Sequence, residues 1–299
     1  MKILVIGSEG FIGKACVKYF SDRSRTVIGC DIAEKKISDY YYVNSTNPDY
    51  ENIFKLEKPD VCINSSGSAD VGFSLKYPKK DYELNVRNVE LILEAIKKFS
   101  ANCKLINFSS AAVYGNPETL PVSESAVINP LSEYGKNKFE SEKLLNKYHH
   151  EFGLRTISLR VFSAYGTGLK KQLFWDIYQK SLIGKTVKLF GTGIESRDFI
   201  FVDDLMRAVE CAIGKTDFKG EAINVSSGVE TKISEAAELF LRYLGSNCRL
   251  EFSGEEKYGD PKNWKADISK LNQMGFTPFV TFEEGIKKYA EWLKGLESE

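Results

Sequence analysis

Three features of this 299-residue chain predict a doubly wound α/β fold, a Rossmann-type parallel sheet with a smaller, interleaved carboxyl-terminal lobe. A glycine-rich turn joins a first apolar run to a helical one at the amino terminus. An acid closes the next apolar run. Short strand-like runs then alternate with helical ones through the first half.

The first run, Met1-Lys2-Ile3-Leu4-Val5-Ile6, breaks at Gly7, and helical spacing follows through Ala15, Val17 and Phe20. Glycines at 7, 10 and 13 allow a sharp turn, the approach of a pyrophosphate to the helix amino end, and close packing of helix on strand, although their spacing differs from G-x-G-x-x-G. The second run, Thr26 to Asp31, ends on a carboxylate able to accept from both hydroxyls of a ribose. Ile32-Ala33-Glu34 brings no arginine to meet a 2′-phosphate, which favours NAD over NADP, with Lys35 and Lys36 the nearest cations. Further on come a strand over 60–64, a helix near 81–99, a strand over 104–108, a helix over about 133–152 and a buried strand over 156–162. After Gly166 the pattern is less regular. Residues 1–165 are expected to form the dinucleotide domain, with 199–226 packed on it, and 166–299 mainly a substrate lobe closing over the carboxyl ends of the strands.

Composition narrows the function. Forty-one basic and 41 acidic residues give a formal net charge of zero, which argues against a nucleic-acid partner. No apolar stretch approaches the roughly 18 residues of a membrane span, and the first strand is too short for a signal peptide, so a cytoplasmic protein is expected. The six cysteines form no C-x-x-C pair, and the only histidines, His149 and His150, are adjacent, so neither a metal site nor histidine catalysis is expected. Tyr134 and Lys138 lie four apart on one helix face, where the ammonium would favour phenolate and make the phenol a general base near neutral pH.

In order along the chain stand Gly7-x-x-Gly10-x-x-Gly13, Asp31, Asn85, Ser109-Ser110-Ala111-Ala112-Val113-Tyr114-Gly115, Tyr134-x-x-x-Lys138, Leu159-Arg160-Val161-Phe162 and Arg197-Asp198-Phe199-Ile200. Over nearly its whole length the chain thereby resembles the extended short-chain dehydrogenase/reductases, in their nucleotide-sugar epimerase/dehydratase branch. The resemblance implies NAD held by Gly7, Gly10, Phe11, Ile12, Gly13, Asp31, Ile32, Asn44, Ser66, Gly67, Asn85, Tyr134, Lys138 and Phe162. It implies Ser110 as the hydroxyl partner of Tyr134, Lys138 on the nicotinamide ribose, and a nucleoside-diphosphate sugar bound by Ser110, Ser163, Arg197, Lys257, Asp260 and Trp264. Departures from the pattern are Ser65-Ser66-Gly67-Ser68 for an apolar-alanine run, Ser163 for a frequent asparagine, Lys257 for a common arginine and Asn44 for an acid.

Dehydratases and decarboxylases of the branch typically carry a carboxylate just after the catalytic serine. Here Ala111 and Ala112 occupy those positions and cannot transfer a proton. A 4-epimerase of a nucleoside-diphosphate hexose is the expectation; single reduction of a 4-keto-6-deoxy sugar is the alternative, and a nucleotide-binding protein without chemistry the third reading. Trp264 would crowd an N-acetyl group and so favour an unacetylated hexose, its competing reading being core packing. The resemblance suggests a homodimer formed through the helices near 81–99 and 133–152, whose stripes could equally pack within one chain.

Overall fold

The computed structural model describes residues 1–255 and 259–296. Its strands are β1 (Lys2–Ile6), β2 (Thr26–Asp31), β3 (Tyr40–Tyr42), β4 (Val61–Asn64), β5 (Lys104–Ser110), β6 (Arg155–Val161), β7 (Ser163–Tyr165), β8 (Thr186–Leu189), β9 (Ser196–Phe201), β10 (Lys219–Val225), β11 (Glu230–Lys232) and β12 (Arg249–Phe252). Its α-helices are α1 (Phe11–Ser21), α2 (Tyr50–Glu57), α3 (Val71–Lys76), α4 (Pro78–Tyr82), α5 (Asn88–Phe99), α6 (Glu133–Phe152), α7 (Gln172–Ile183), α8 (Val202–Lys215), α9 (Ile233–Leu244), α10 (Ser269–Gln273) and α11 (Phe282–Leu296).

Seven parallel strands form the main sheet in the order β10-β6-β5-β4-β1-β2-β3. The order reverses between β1 and β4, and at such a switch point an open α/β sheet leaves a crevice at its carboxyl ends. Strand alternation supplies both faces: Ile3 and Val5 join the core under α1 and α8, while Leu4 and Ile6 join the one under α2, α5 and α6. A third core, rich in aromatic rings, unites β7 and β9 with α7, α9 and α11.

Two local departures from the sequence reading shape the site. Tyr40-Tyr41-Tyr42, too short to stand out in the sequence, adds an edge strand beside Asp31. The helix expected over 81–99 begins earlier, with Pro78 in the first turn of α4, and passes through a π-helical turn, Glu83–Arg87, before α5. Asp81 in α4 and Asn85 in the π turn, four apart, share the inward face; they are 0% and 2% exposed.

Candidate active site

At the end of β1 the chain turns through Gly7, at φ +82°, and a Cβ there would lie 2.6 Å from the backbone nitrogen of Ser66. A Cβ on Gly13 would sit 1.9 Å from the Gly7 carbonyl oxygen, so α1 can abut the turn only without a side chain. Gly10 differs: its φ of −71° suits any residue, and a Cβ would meet only the Gly7 oxygen, at 3.3 Å. The protein itself does not demand glycine there; a backbone approached by a ligand does. Gly10 caps α1 without a side-chain bond and the first turn carries no acid, leaving its positive end for an anion.

Asp31 ends β2 half-buried, its two oxygens accepting from the backbone N–H of Glu9 and of Ala33 at 2.9 and 3.2 Å. Lys35, the cation nearest in sequence, pairs with Glu9 at 2.6 Å. Ile32 and Asn44 are exposed, and Asn44 accepts from the Thr46 N–H and hydroxyl, closing a turn after β3. Across the switch point, Gly67 (φ +103°) would place a Cβ 2.5 Å from Asn85 Oδ1. Both polar atoms of the Asn85 side chain are buried with no partner among the described residues, which suits a ligand amide or hydroxyl. A glycine cradle at a helix amino end, a carboxylate at the end of the second strand and an orphaned buried amide together fit a dinucleotide.

The catalytic candidates converge from β5 and α6. Ser110 ends β5 and accepts from the Ala112 N–H at 3.1 Å, starting a short 3-10 turn. Ser132 caps α6 by accepting from the Gly135 N–H at 3.2 Å, which sets Tyr134 in the first turn and Lys138 one turn on. A Cβ on Gly135 would stand 2.5 Å from the Ala112 carbonyl oxygen; glycine thus lets α6 close on the serine turn. Ser110 hydrogen-bonds the Tyr134 phenol.

The electrostatics correct the expectation of a phenol already acidified by its lysine. Burial pushes Tyr134 up to about 12, the Ser110 bond opposing and the Asp81 charge reinforcing that rise. Lys138 Nζ donates to the Phe108 carbonyl oxygen at 3.0 Å and lies 5.8 Å from the Tyr134 ring centroid; burial lowers it from 10.5 to about 8. The shared helix face is present, but desolvation outweighs a charge aimed elsewhere.

On the opposite wall Arg197 is half-buried, donates to the carbonyl oxygens of Ser196 and Lys262 at 2.8 and 3.2 Å, and lies 5.5 Å from the Trp264 ring centroid. Burial lowers its pKa, opposed by the charges of Asp260 and Glu195. Lys257 lies outside the described residues. Ser163 is half-buried at the start of β7. Trp264 and Phe162, 8% and 7% exposed, stack edge-to-face at 5.8 Å in a cluster with Ala111, Val113 and Tyr114. The indole N–H donates to the Gly115 carbonyl oxygen at 3.0 Å, so the Trp264 ring is packed and held in this cluster.

Several supporting residues were given no role from the sequence, though Tyr114, Arg160 and Asp198 stand in its motifs. Asn64 donates to Asn107 at 2.8 Å, and Asn107 to Ser141 at 3.3 Å, linking the ends of β4 and β5 to α6. Arg160 pairs with buried Glu142 at 2.7 Å and donates to the Tyr114 hydroxyl, which itself donates to Asn224. Asp198, wholly buried, accepts from the backbone N–H groups of Ser227, Gly228 and Ala266 and from two serine hydroxyls, tying β9 to the segment holding Trp264. Such pairings join residues 18 to 110 positions apart, beyond the reach of any local pattern. Among the described residues no group of three or more histidine, cysteine or acidic side chains could hold a metal, and no helix is long and apolar enough to cross a membrane.

Comparison with known proteins agrees with this arrangement. A putative UDP-glucose 4-epimerase of Methanocaldococcus jannaschii is 29% identical over 98% of both chains. The crystal structure of a Thermotoga maritima UDP-glucose 4-epimerase with UDP-glucose superposes with a TM-score of 0.90 at 28% identity, covering 99% of this chain and 100% of the other. A Bacillus cereus UDP-glucuronic acid 4-epimerase, solved with UDP-glucuronic acid and NAD, gives 0.89 at 27% identity with the same coverage. Residues 3–226, three-quarters of the chain, match the NAD dependent epimerase/dehydratase family, and the protein therefore belongs to that family.

Proposed function

We propose that the protein epimerises C4 of a nucleoside-diphosphate hexose through a 4-keto intermediate, with NAD as a retained cofactor. The convergence of Ser110, Tyr134 and Lys138 at the switch point, with only alanine after the serine, carries this reading. Ala111 is wholly buried and Ala112 lies in the same 3-10 turn, so neither position offers the proton transfer that dehydration needs. The relatives and solved structures above favour a uridine nucleotide.

Gly7, Gly10 and Gly13 with the α1 amino end would take the pyrophosphate, Asp31 a ribose, and Asn85 with Lys138 the nicotinamide end. When bound, NAD supplies a hydride acceptor, the hydride's return and a positive charge in the crevice. Tyr134 removes the proton from O4 and later gives it back, while Ser110, bonded to the phenol, steadies the same oxygen. Arg197, with Asp260 beside it electrostatically, would hold the diphosphate. Substrate binding by Ser163 and Lys257, a location in the cytoplasm and a homodimer through α5 and α6 belong to the same proposal. Within one chain those two helices already pack together, Leu145 and Tyr148 joining the core of Ile92, Leu93 and Ile96, while Leu84, Leu91, Phe139 and Leu144 remain half-buried for a partner.

The test is incubation with UDP-, dTDP-, CDP- and GDP-hexoses without added cofactor, with C4 configuration followed by proton NMR. Inversion in the wild type and its loss in Tyr134→Phe are expected. No inversion, together with cofactor oxidation on 4-keto-6-deoxy sugars, would reassign the protein as a 4-ketoreductase.

A further inference from the structure

Asp81 is the one buried acid facing the catalytic helix that nothing above employs. It sits on α4, wholly buried, with Oδ2 accepting from Asn137 Nδ2 at 2.8 Å and Oδ1 buried without a partner among the described residues. Asn137 precedes Lys138 and lies three residues after Tyr134 on α6, so the contact anchors the carboxylate to the helix that carries both, and its charge acts on each of them. An ionised oxygen without a donor or a cation is costly to bury, and its presence calls for a compensating charge nearby.

That charge is Lys138. Among the described residues no carboxylate pairs directly with its ammonium, whose hydrogen bond goes to a neutral carbonyl oxygen. Two acids act on it through space, Asp81 first and Glu142 second. Glu142 is already neutralised by Arg160 at 2.7 Å, and it also accepts from Ser109. Lys171, at the start of α7, opposes both. The remaining charged groups around Asp81 point outward: Lys79 and Lys80 on α4, Lys76 on α3, and Glu83 and Arg87 in the π turn are exposed, and Lys136 on α6 pairs with Glu133. Among the described residues Asp81 is therefore the buried carboxyl near Lys138 that no cation pairs with directly, and it acts on Tyr134 as well.

We propose that Asp81 is a positioning residue of the catalytic pair, its buried carboxylate serving as counter-charge to the Lys138 ammonium while holding the Tyr134 phenol protonated until substrate and cofactor are in place. The inference rests on the roles given to Tyr134 and Lys138 above. A negative charge raises the proton affinity of lysine and phenol alike, so removing it moves both titrations the same way.

The test needs no turnover for its first readout. Carbon-13-labelled lysine NMR, with Lys138→Met to assign the signal, follows the Lys138 titration in the wild type, in Asp81→Asn, which keeps the Asn137 contact, and in Asp81→Leu, which keeps the volume. We expect the titration to move to lower pH by about half a unit or more in either charge-removing variant, and to stay near the wild-type value in Asp81→Glu. The second readout is the pH profile of kcat/KM, whose acid and alkaline limbs should both move to lower pH. Unmoved Lys138 titration in a folded charge-removing variant overturns the proposal, as does failure of both to fold. The expected shift in the variants, together with a wild-type protein that turns over no sugar, would refute the epimerase reading and leave the electrostatic pairing standing.

Discussion

Lys138 Nζ reaches the Phe108 carbonyl oxygen at 3.0 Å while standing 5.8 Å from the centre of the Tyr134 ring, one turn earlier on α6. The two residues thus share a helix face without an ammonium-phenol bond, and the proton acceptor is held in reserve by burial, with the Ser110 bond acting against it.

If Tyr134 carries the proton of O4, Tyr134→Phe removes one hydroxyl and little else. The turnover rate should fall by about 10²–10⁴-fold with the melting temperature nearly unchanged. NMR-followed epimerisation beside a thermal melt checks both; a variant within about tenfold of wild type would exclude the phenol as the base.

Lys138 should leave a mark on stability. Its folded-state pKa of about 8 lies below the ordinary 10.5, so the folded protein bears the penalty of a buried charge below pH 8 and sheds it as pH rises towards 10. Lys138→Met abolishes that dependence. Relative to wild type, the variant should be more favoured at pH 7 than at pH 10 by at most about 3 kcal/mol, read from urea unfolding at the two pH values.

The glycines of the cradle should separate folding from binding. Gly13→Ala drives a methyl to 1.9 Å from the Gly7 oxygen and should destabilise by about 3 kcal/mol. Gly10→Ala meets only one atom, at 3.3 Å, so denaturation should scarcely change while the NAD content of the purified protein falls. Equal loss of stability in both would refute the division.

Arg197 should act on binding more than on chemistry. Arg197→Ala should raise KM for the nucleotide sugar by about 10–100-fold with kcat changed far less, because a diphosphate contact is equal in ground and transition states. A fall confined to kcat would place the guanidinium at the reacting atoms instead.

Local sequence determined much of this protein. The glycine turn, Asp31 and the tyrosine-lysine helix were legible because each depends on backbone conformation or on spacing within one element. The strands of the first half were legible because apolar runs bounded by glycine and polar residues declare a buried parallel sheet. Tertiary structure alone decided the rest. Whether Lys138 faces the phenol or the Phe108 oxygen depends on how α6 lies across β5, and the resulting burial reversed the expected shift of Tyr134. Trp264 became core because Phe162 and Gly115, more than a hundred residues away in sequence, receive its ring and its N–H. Asp81 carried no reading in the sequence, and the packing of α4 on α6 sets it at 0% exposure beside Asn137. Sequence periodicity reports which face of an element is apolar. Desolvation and the pairing of distant polar groups arise only once the elements are assembled, and these set the proton affinities at the site.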